Sequence, residues 1–339
     1  MTAILPHQGN VFRRKVPAAV DIINGFGKPT GFAQVAELGN IETPVLLTNT
    51  LSVGRVWDAV VTYMLRTNPD IGIGQVGTVN PVVGECNDGF LNDIQGRHVS
   101  EENVLEAIAR ASTSRPAEGS VGAGSGMSAF GFKGGIGTAS RLLPQTIGSF
   151  VVGALVLANF GLRENLVIDG VPVGRELRDW SPDASPEAPE PEPASETRAV
   201  PPGGPGTGED LGSVVVVVGT DAPLTDRQLG RIARRVGMGL ARTGSIAGHG
   251  SGDFVIAFAN SALQPQSFEA ITYRETRFAE EGRNMGALFQ ATIEATEEAV
   301  VNALFAAETM VGRDGHVRHG LPVDLVLRIL QAHGRLRRD

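Results

Sequence analysis

The sequence predicts an α/β protein in which layers of helices cover the outside of sheets. Three observations predict it. "SVVVVVGT" (213–220) is a continuous β-branched run, the pattern of a strand covered on both faces. Leu229, Ile232, Val236 and Leu240 follow at steps of three and four, the stripe of an amphipathic helix. Strand-like and helix-like segments are mixed along the chain, not sorted into separate blocks.

The elements follow in order. "TPVLLTNTLSVGRVWDAVVTYML" reads as a strand over 45–47, a turn, and a helix from near Gly54. "VNPVVGECNDGFLND" reads as a strand running into a loop. Ser100 is placed to cap the helix "EENVLEAIARA". The glycine-rich "EGSVGAGSGMSAFGFKGGIGTASR" reads as close-packed backbone. "IGSFVVGALVLANF" (147–160) is too short and too glycine-broken to span a bilayer, and reads as a buried strand. Residues 180–210 are Pro, Glu and Gly with almost no large apolar side chains, an exposed flexible or polyproline-like insert. The patterns on both sides of it belong to one sheet, so 1–339 is read as a single domain. Thr225 and Gln228 form a capping box. "GDFVIAFAN" reads as a strand, and "NMGALFQATIEATEEAVVNALFAAETMVG" as one long helix. There is no internal repeat.

Composition narrows the function. With 42% hydrophobic and 19% charged residues, the chain is an ordinary globular one. A net charge of -8 gives a nucleic-acid partner no electrostatic support, and the basic "RLRRD" reads as a solvated tail. Cys86 is alone, so no intrachain disulfide forms and a reducing compartment fits. The N-terminal segment lacks a signal-peptide pattern, which predicts a cytoplasmic protein without a membrane partner. His316 and His319 form H-x-x-H with no nearby cluster of carboxylates or Cys, so no metal is predicted. "FKGGIGTASR" (Lys133, Gly134, Gly135, Gly137) lacks P-loop order, and "GAGSGM" (Gly122, Gly124, Gly126) does not complete G-x-G-x-x-G; no cofactor is predicted.

The chemistry concentrates in "AGHGSGDF". A nucleophile elbow runs strand, serine, helix. Here the order is helix, glycine-rich loop, Ser251, strand. That is where a chain-terminal nucleophile sits if the bond between Gly250 and Ser251 is cut. The serine hydroxyl can attack the preceding carbonyl and form an ester that water hydrolyses, and glycine at 250 offers no obstruction. The freed α-amine, with an ordinary pKa near ~8, can then act as a local base. The commoner reading of Gly-Ser-Gly is a plain turn. His249 is too close in sequence for a productive triad bond.

In order along the chain, "TPVLLTNTLSVG", "PVVGECNDGFLND", "EGSVGAGSGM…FKGGIGTASR", "VVVVVGTDAPLTDRQL", "GSGDFVIAF" and "ATIEATEEAVVNALF" resemble the peptidase family of the L-aminopeptidase/D-amidase-esterase and the β-peptidyl aminopeptidases. The resemblance covers about residues 20–312 apart from the insert. It implies a four-layered αββα sandwich of the N-terminal-nucleophile type. It also implies self-cleavage into 1–250 and 251–339, the two chains staying associated, and a homotetramer of cut protomers. The implied activity is release of N-terminal residues from small peptides, amides or esters bearing a free amino group.

The resemblance makes Ser251 the nucleophile, assisted by a small-chain glutamate. Glu297 lies beside the apolar arc of Ile293, Val300 and Leu304 and is the candidate, with Glu298 second. The family serine two residues before that glutamate is replaced by Ala295. Glu118 is the candidate for holding the substrate ammonium. The family's oxyanion asparagine has no counterpart, since no asparagine lies between Asn165 and Asn260. Gly212 or Ser213 occupies that neighbourhood; Asn49, Asn87 and Asn92 are alternatives. Phe130 stands where some members carry a tyrosine. Two rival readings are an acyltransferase of the ornithine-acetyltransferase type, which uses threonine at the cut, and a non-catalytic binding protein of the same fold.

Overall fold

The computed structural model describes residues 1–182 and 212–336. Most of the 180–210 insert therefore lies outside the described residues. The strands are β1 (Thr2–Ile4), β2 (Arg14–Gly25), β3 (Asn40–Ile41), β4 (Val45–Asn49), β5 (Val82–Cys86), β6 (Ser128–Ala129), β7 (Phe132–Lys133), β8 (Gly135–Leu142), β9 (Val151–Asn159), β10 (Ser213–Thr220), β11 (Gly252–Ala259), β12 (Gln264–Pro265), β13 (Met310–Val311) and β14 (Val317–Arg318). The helices are α1 (Phe32–Leu38), α2 (Val53–Thr67), α3 (Glu101–Ala109), α4 (Val173–Glu176), α5 (Asp226–Arg242), α6 (Asn284–Phe305) and α7 (Val323–Ala332).

A seven-stranded sheet runs β12-β2-β11-β10-β9-β8, with β3 also paired to β2. A smaller sheet runs β1-β4-β5. Only β10–β11 in the large sheet and β4–β5 in the small one are parallel among the described strands. Both parallel pairs need a crossover, and α5 and α2 supply them.

Period-2 alternation then sorts the apolar side chains into three layers. Val214, Val216, Val218, Val255 and Ala257 face Leu229, Ile232 and Val236 of α5 and Leu288, Ala295 and Ala299 of α6. Val215, Val217, Phe254, Ile256 and Leu157 face Val45, Leu47 and Val82 across the gap between the sheets. Leu46 and Val83 face Val56, Val60 and Met64 of α2 and Val104 and Ile108 of α3. The result is the α-β-β-α sandwich. It explains why the 213–220 run has no polar alternation: both of its faces are dry.

The capping boxes at Ser100 and Thr225 form, the first closed by Asn103 and the second by Gln228. Three elements differ from the sequence reading. The long helix stops at Phe305, and the chain continues into the β13–β14 pair. The glycine-rich 135–142 segment is a strand, because its glycines admit α6 against it. A Cβ at Gly137 would collide with the Ala299 carbonyl. Finally, β2, twelve residues long, carries no clear alternation yet closes the sheet beside β11. Among the described residues, no helix is long and apolar enough to cross a membrane.

Candidate active site

Because β10 and β11 are parallel, their N-terminal ends lie together. Ser213 is level with Gly252, and the Gly252 N–H donates to the Gly212 carbonyl at 3.2 Å. On the other side β2 is antiparallel and sets Asn24 level with Asp253. On β9, Asn159 is level with Ser213. One end of the sheet thus gathers Ser251, Asp253, Asn24, Gly212, Ser213 and Asn159.

Ser251 is fully buried. Its Oγ donates to Asp253 Oδ1 at 2.6 Å, the length of a hydroxyl–carboxylate bond. Its N–H donates to the Gly248 carbonyl at 2.9 Å, closing a four-residue turn whose last peptide bond is Gly250–Ser251. Asn24 Nδ2 donates to the carbonyls of Gly248 (2.9 Å), His249 (3.1 Å) and Ser251, on both sides of that bond. Just upstream, Ala247 holds φ at 47°, a left-handed conformation that costs an alanine about 1 kcal/mol. The glycine after the serine is required by space, since a Cβ at Gly252 would lie 2.8 Å from the Phe26 carbonyl and 3.2 Å from the Phe254 ring. His249 is exposed, and the bond it makes to Asn24 is through its carbonyl, not its ring.

The oxyanion candidates separate. Gly212 and Ser213 stand beside Ser251 through the β10–β11 register. Ser213 Oγ accepts from Asn159 Nδ2 at 3.0 Å and from the Asn87 N–H at 3.3 Å. Asn159 Nδ2 also donates to the Asn87 carbonyl at 3.0 Å, and its Oδ1 accepts from Ser128. Asn49 is spent elsewhere: its Oδ1 caps the Ser52 N–H and its Nδ2 donates to Asp88 at 3.2 Å. Asn92 donates to the same Asp88 carboxylate.

The two glutamates stand further out in the bonding network. Glu297 pairs with Arg242 Nη1 at 3.0 Å, at the α5–α6 contact. Glu298 and Glu294 both pair with Arg141. Glu118 accepts from the Thr138 N–H at 2.7 Å and the Thr138 hydroxyl at 2.8 Å, and pairs with Arg115 at 3.0 Å. The side chain to which the Ser251 hydroxyl donates is therefore Asp253, not either glutamate. Phe130 is buried edge-to-face on Phe160.

Electrostatics marks three buried groups nearby. Burial pushes the Cys86 thiol well up, so it stays protonated. Burial also raises Asp88, partly offset by its bonds to Asn92 and Asn49. Lys133, fully buried and donating to the Gly124 and Gly134 carbonyls, is lowered to about 8 by desolvation. An open groove runs along the N-terminal residues and is lined by Asn49, Asp88, Asn92 and Gly126; Ser251 is not in its wall. Among the described residues, no group of three His, Cys, Asp or Glu is placed to hold a metal.

Asp253, Asn24 and Asn159 escape a reading of sequence. Asp253 left a signal, a lone acid in an otherwise apolar strand. The other two are brought in only by strand register.

A buried serine at the head of a central strand, in a four-layered sandwich, defines a hydrolase of the N-terminal-nucleophile fold class. Comparison with known proteins gives the family. Residues 1–318 match Peptidase family S58, and the chain belongs to that family. It is 39% identical over 336 residues to the β-peptidyl aminopeptidase BapA of Sphingosinicella microcystinivorans, covering 99% of this chain and 81% of that protein. The crystal structure of the PH0078 protein from Pyrococcus horikoshii OT3 is similar with a TM-score of 0.85 and 47% identity, over 98% of this chain and 85% of the other. The L-aminopeptidase D-Ala-esterase/amidase from Ochrobactrum anthropi, described as a prototype for the serine aminopeptidases and a variant of the Ntn hydrolase fold, matches with a TM-score of 0.85 and 35% identity, over 99% and 86% of the two chains.

Proposed function

We propose that this protein is a serine aminopeptidase that cuts its own chain between Gly250 and Ser251. It then releases N-terminal residues from small peptides, amides or esters. The observation that carries this is the placement of Ser251, buried, hydrogen-bonded to a carboxylate, and ending a tight turn at the head of β11. While the chain is continuous no external substrate can reach that hydroxyl, so cutting is what opens the site.

In the cut enzyme the Ser251 α-amine takes the hydroxyl proton as Oγ attacks the substrate carbonyl. Gly212 and Ser213 border the place where the oxyanion forms. Glu118 receives the substrate ammonium, and Glu297 supports the nucleophile once its pairing with Arg242 rearranges. The names of the relatives extend the substrate range to peptides that begin with a β-amino acid. Cytoplasmic action fits the single, buried Cys86. A homotetramer of cut protomers is the assembly that the family resemblance favours.

The test is intact mass under denaturing conditions, with hydrolysis of α- and β-aminoacyl p-nitroanilides measured on the same samples. Two fragments meeting at 250/251 with turnover, and one inert chain for Ser251→Ala, are expected. A wild-type chain that stays whole and inert would sink the reading.

A further inference from the structure

Self-cleavage raises a chemical difficulty that the finished enzyme does not have. The base of the cut enzyme is an α-amine, and before the cut that nitrogen is an amide whose N–H donates to the Gly248 carbonyl. Its lone pair is delocalised into the Gly250 carbonyl, so it cannot serve as a base. His249 is exposed and is tied to Asn24 through its carbonyl. Glu297 is paired with Arg242 and Glu118 with Thr138 and Arg115. The Ser251 hydroxyl instead donates to Asp253 Oδ1, and both residues are buried.

We propose that Asp253 is the general base of the first, self-cleaving turnover, a duty distinct from the hydrolysis that follows. The inference rests on the reading that the chain cuts itself before Ser251. The Ser251 hydroxyl proton passes to the Asp253 carboxylate as Oγ bonds to the Gly250 carbonyl carbon. The tetrahedral carbon then expels the Ser251 nitrogen. That C–N bond breaks and the nitrogen takes the proton back from Asp253, becoming the α-amine. An ester joins Gly250 to Ser251 Oγ. Water adds to the ester carbonyl, the C–Oγ bond breaks, and the products are the Gly250 carboxylic acid and the free Ser251 hydroxyl.

The surroundings suit this duty. Asn24 holds carbonyls on both sides of the scissile bond and sits level with Asp253 across the β2–β11 pair. The attacked peptide bond, the nucleophile and its base are therefore fixed on one short stretch of adjoining strands. Ser251 and Asp253 stand two residues apart at the head of β11, the spacing at which extended backbone points side chains the same way, and Phe26 and Phe254 leave room only for glycine between them.

The experiment follows self-cleavage of full-length chains by intact mass at timed intervals after synthesis. It uses wild type, Asp253→Asn, Asp253→Ser, Asp253→Glu and Ser251→Ala, with circular dichroism to score folding. Asp253→Asn, which keeps the shape, is expected to fold and to cut at least about 100-fold more slowly, the lower end of what a general base contributes. Asp253→Glu is expected to recover part of the rate and Asp253→Ser none. Folded Asn or Ser chains that cut at the wild-type rate would overturn the proposal. So would loss of folding in all three Asp253 variants, which would make the residue purely structural. A whole wild-type chain, alongside the whole Ser251→Ala control, would instead overturn the self-cleavage reading on which it rests.

Discussion

Ser213 holds its hydroxyl between the Asn159 amide and the Asn87 N–H, at the level of Gly252. If it lends that hydroxyl to the oxyanion, Ser213→Ala should lower kcat about 100-fold with little change in KM, the usual cost of one preorganised donor. Steady-state hydrolysis of an aminoacyl p-nitroanilide decides this; an unchanged kcat would leave the oxyanion to backbone groups. Lys133 makes a second residue-scale case. The unfolded chain keeps its proton up to the ordinary lysine range, while the folded chain releases it near pH 8. Between those values the unfolded state binds more protons, so stability rises with pH, by at most about 1.4 kcal/mol per pH unit from this group. Urea midpoints between pH 7.5 and 10 should climb less for Lys133→Met than for wild type. Parallel slopes would assign the ammonium an ordinary titration. Both residues stood in quoted motifs, yet neither the burial of Lys133 nor the partners of Ser213 were legible, because both depend on strands distant in sequence.

At the scale of elements, the α6–β8 contact is among the tightest packing the glycines reveal. Gly137 lies under the α6 backbone at Ala299 and Ala303. A side chain there must push the helix off the sheet, so Gly137→Val should cost about 3 kcal/mol or more. The check is the thermal or urea midpoint, and a wild-type value would mean that the helix can shift freely. Elements with strong local signals were legible: the β-branched β10, the striped and capped α5, the capped α3. Those whose stability is supplied by neighbours were not. β8 is rich in glycine because α6 and the 119–124 loop press on it, so its composition read as close-packed backbone and not as a strand. β2 has mixed polarity because it lies near the sheet edge, with only β12 and β3 beyond β11 on its far side.

For the whole molecule, topology sets what the proposed cleavage before Ser251 would do to the two fragments. β11, just after the proposed cleavage site, hydrogen-bonds to β2 on one side and β10 on the other, and α6 packs on β8 and β9. Every one of those partners belongs to residues 1–250. After cleavage the fragments are expected to elute together in native size exclusion and to separate only in denaturant. Separation in native buffer would contradict the interleaved sheet. The sequence by itself determined the sandwich class, through runs dry on both faces and helices striped on one. It also determined the family, through six ordered blocks, and it singled out Ser251, a serine between glycines at the head of a strand, as the candidate nucleophile. The tertiary structure alone decided what that serine touches. Asp253 reaches it because a strand points alternate side chains the same way, and Asn24 and Ser213 flank it because β2 and β10 pair in one register. Register is a property of two strands together, and no single stretch of sequence contains it.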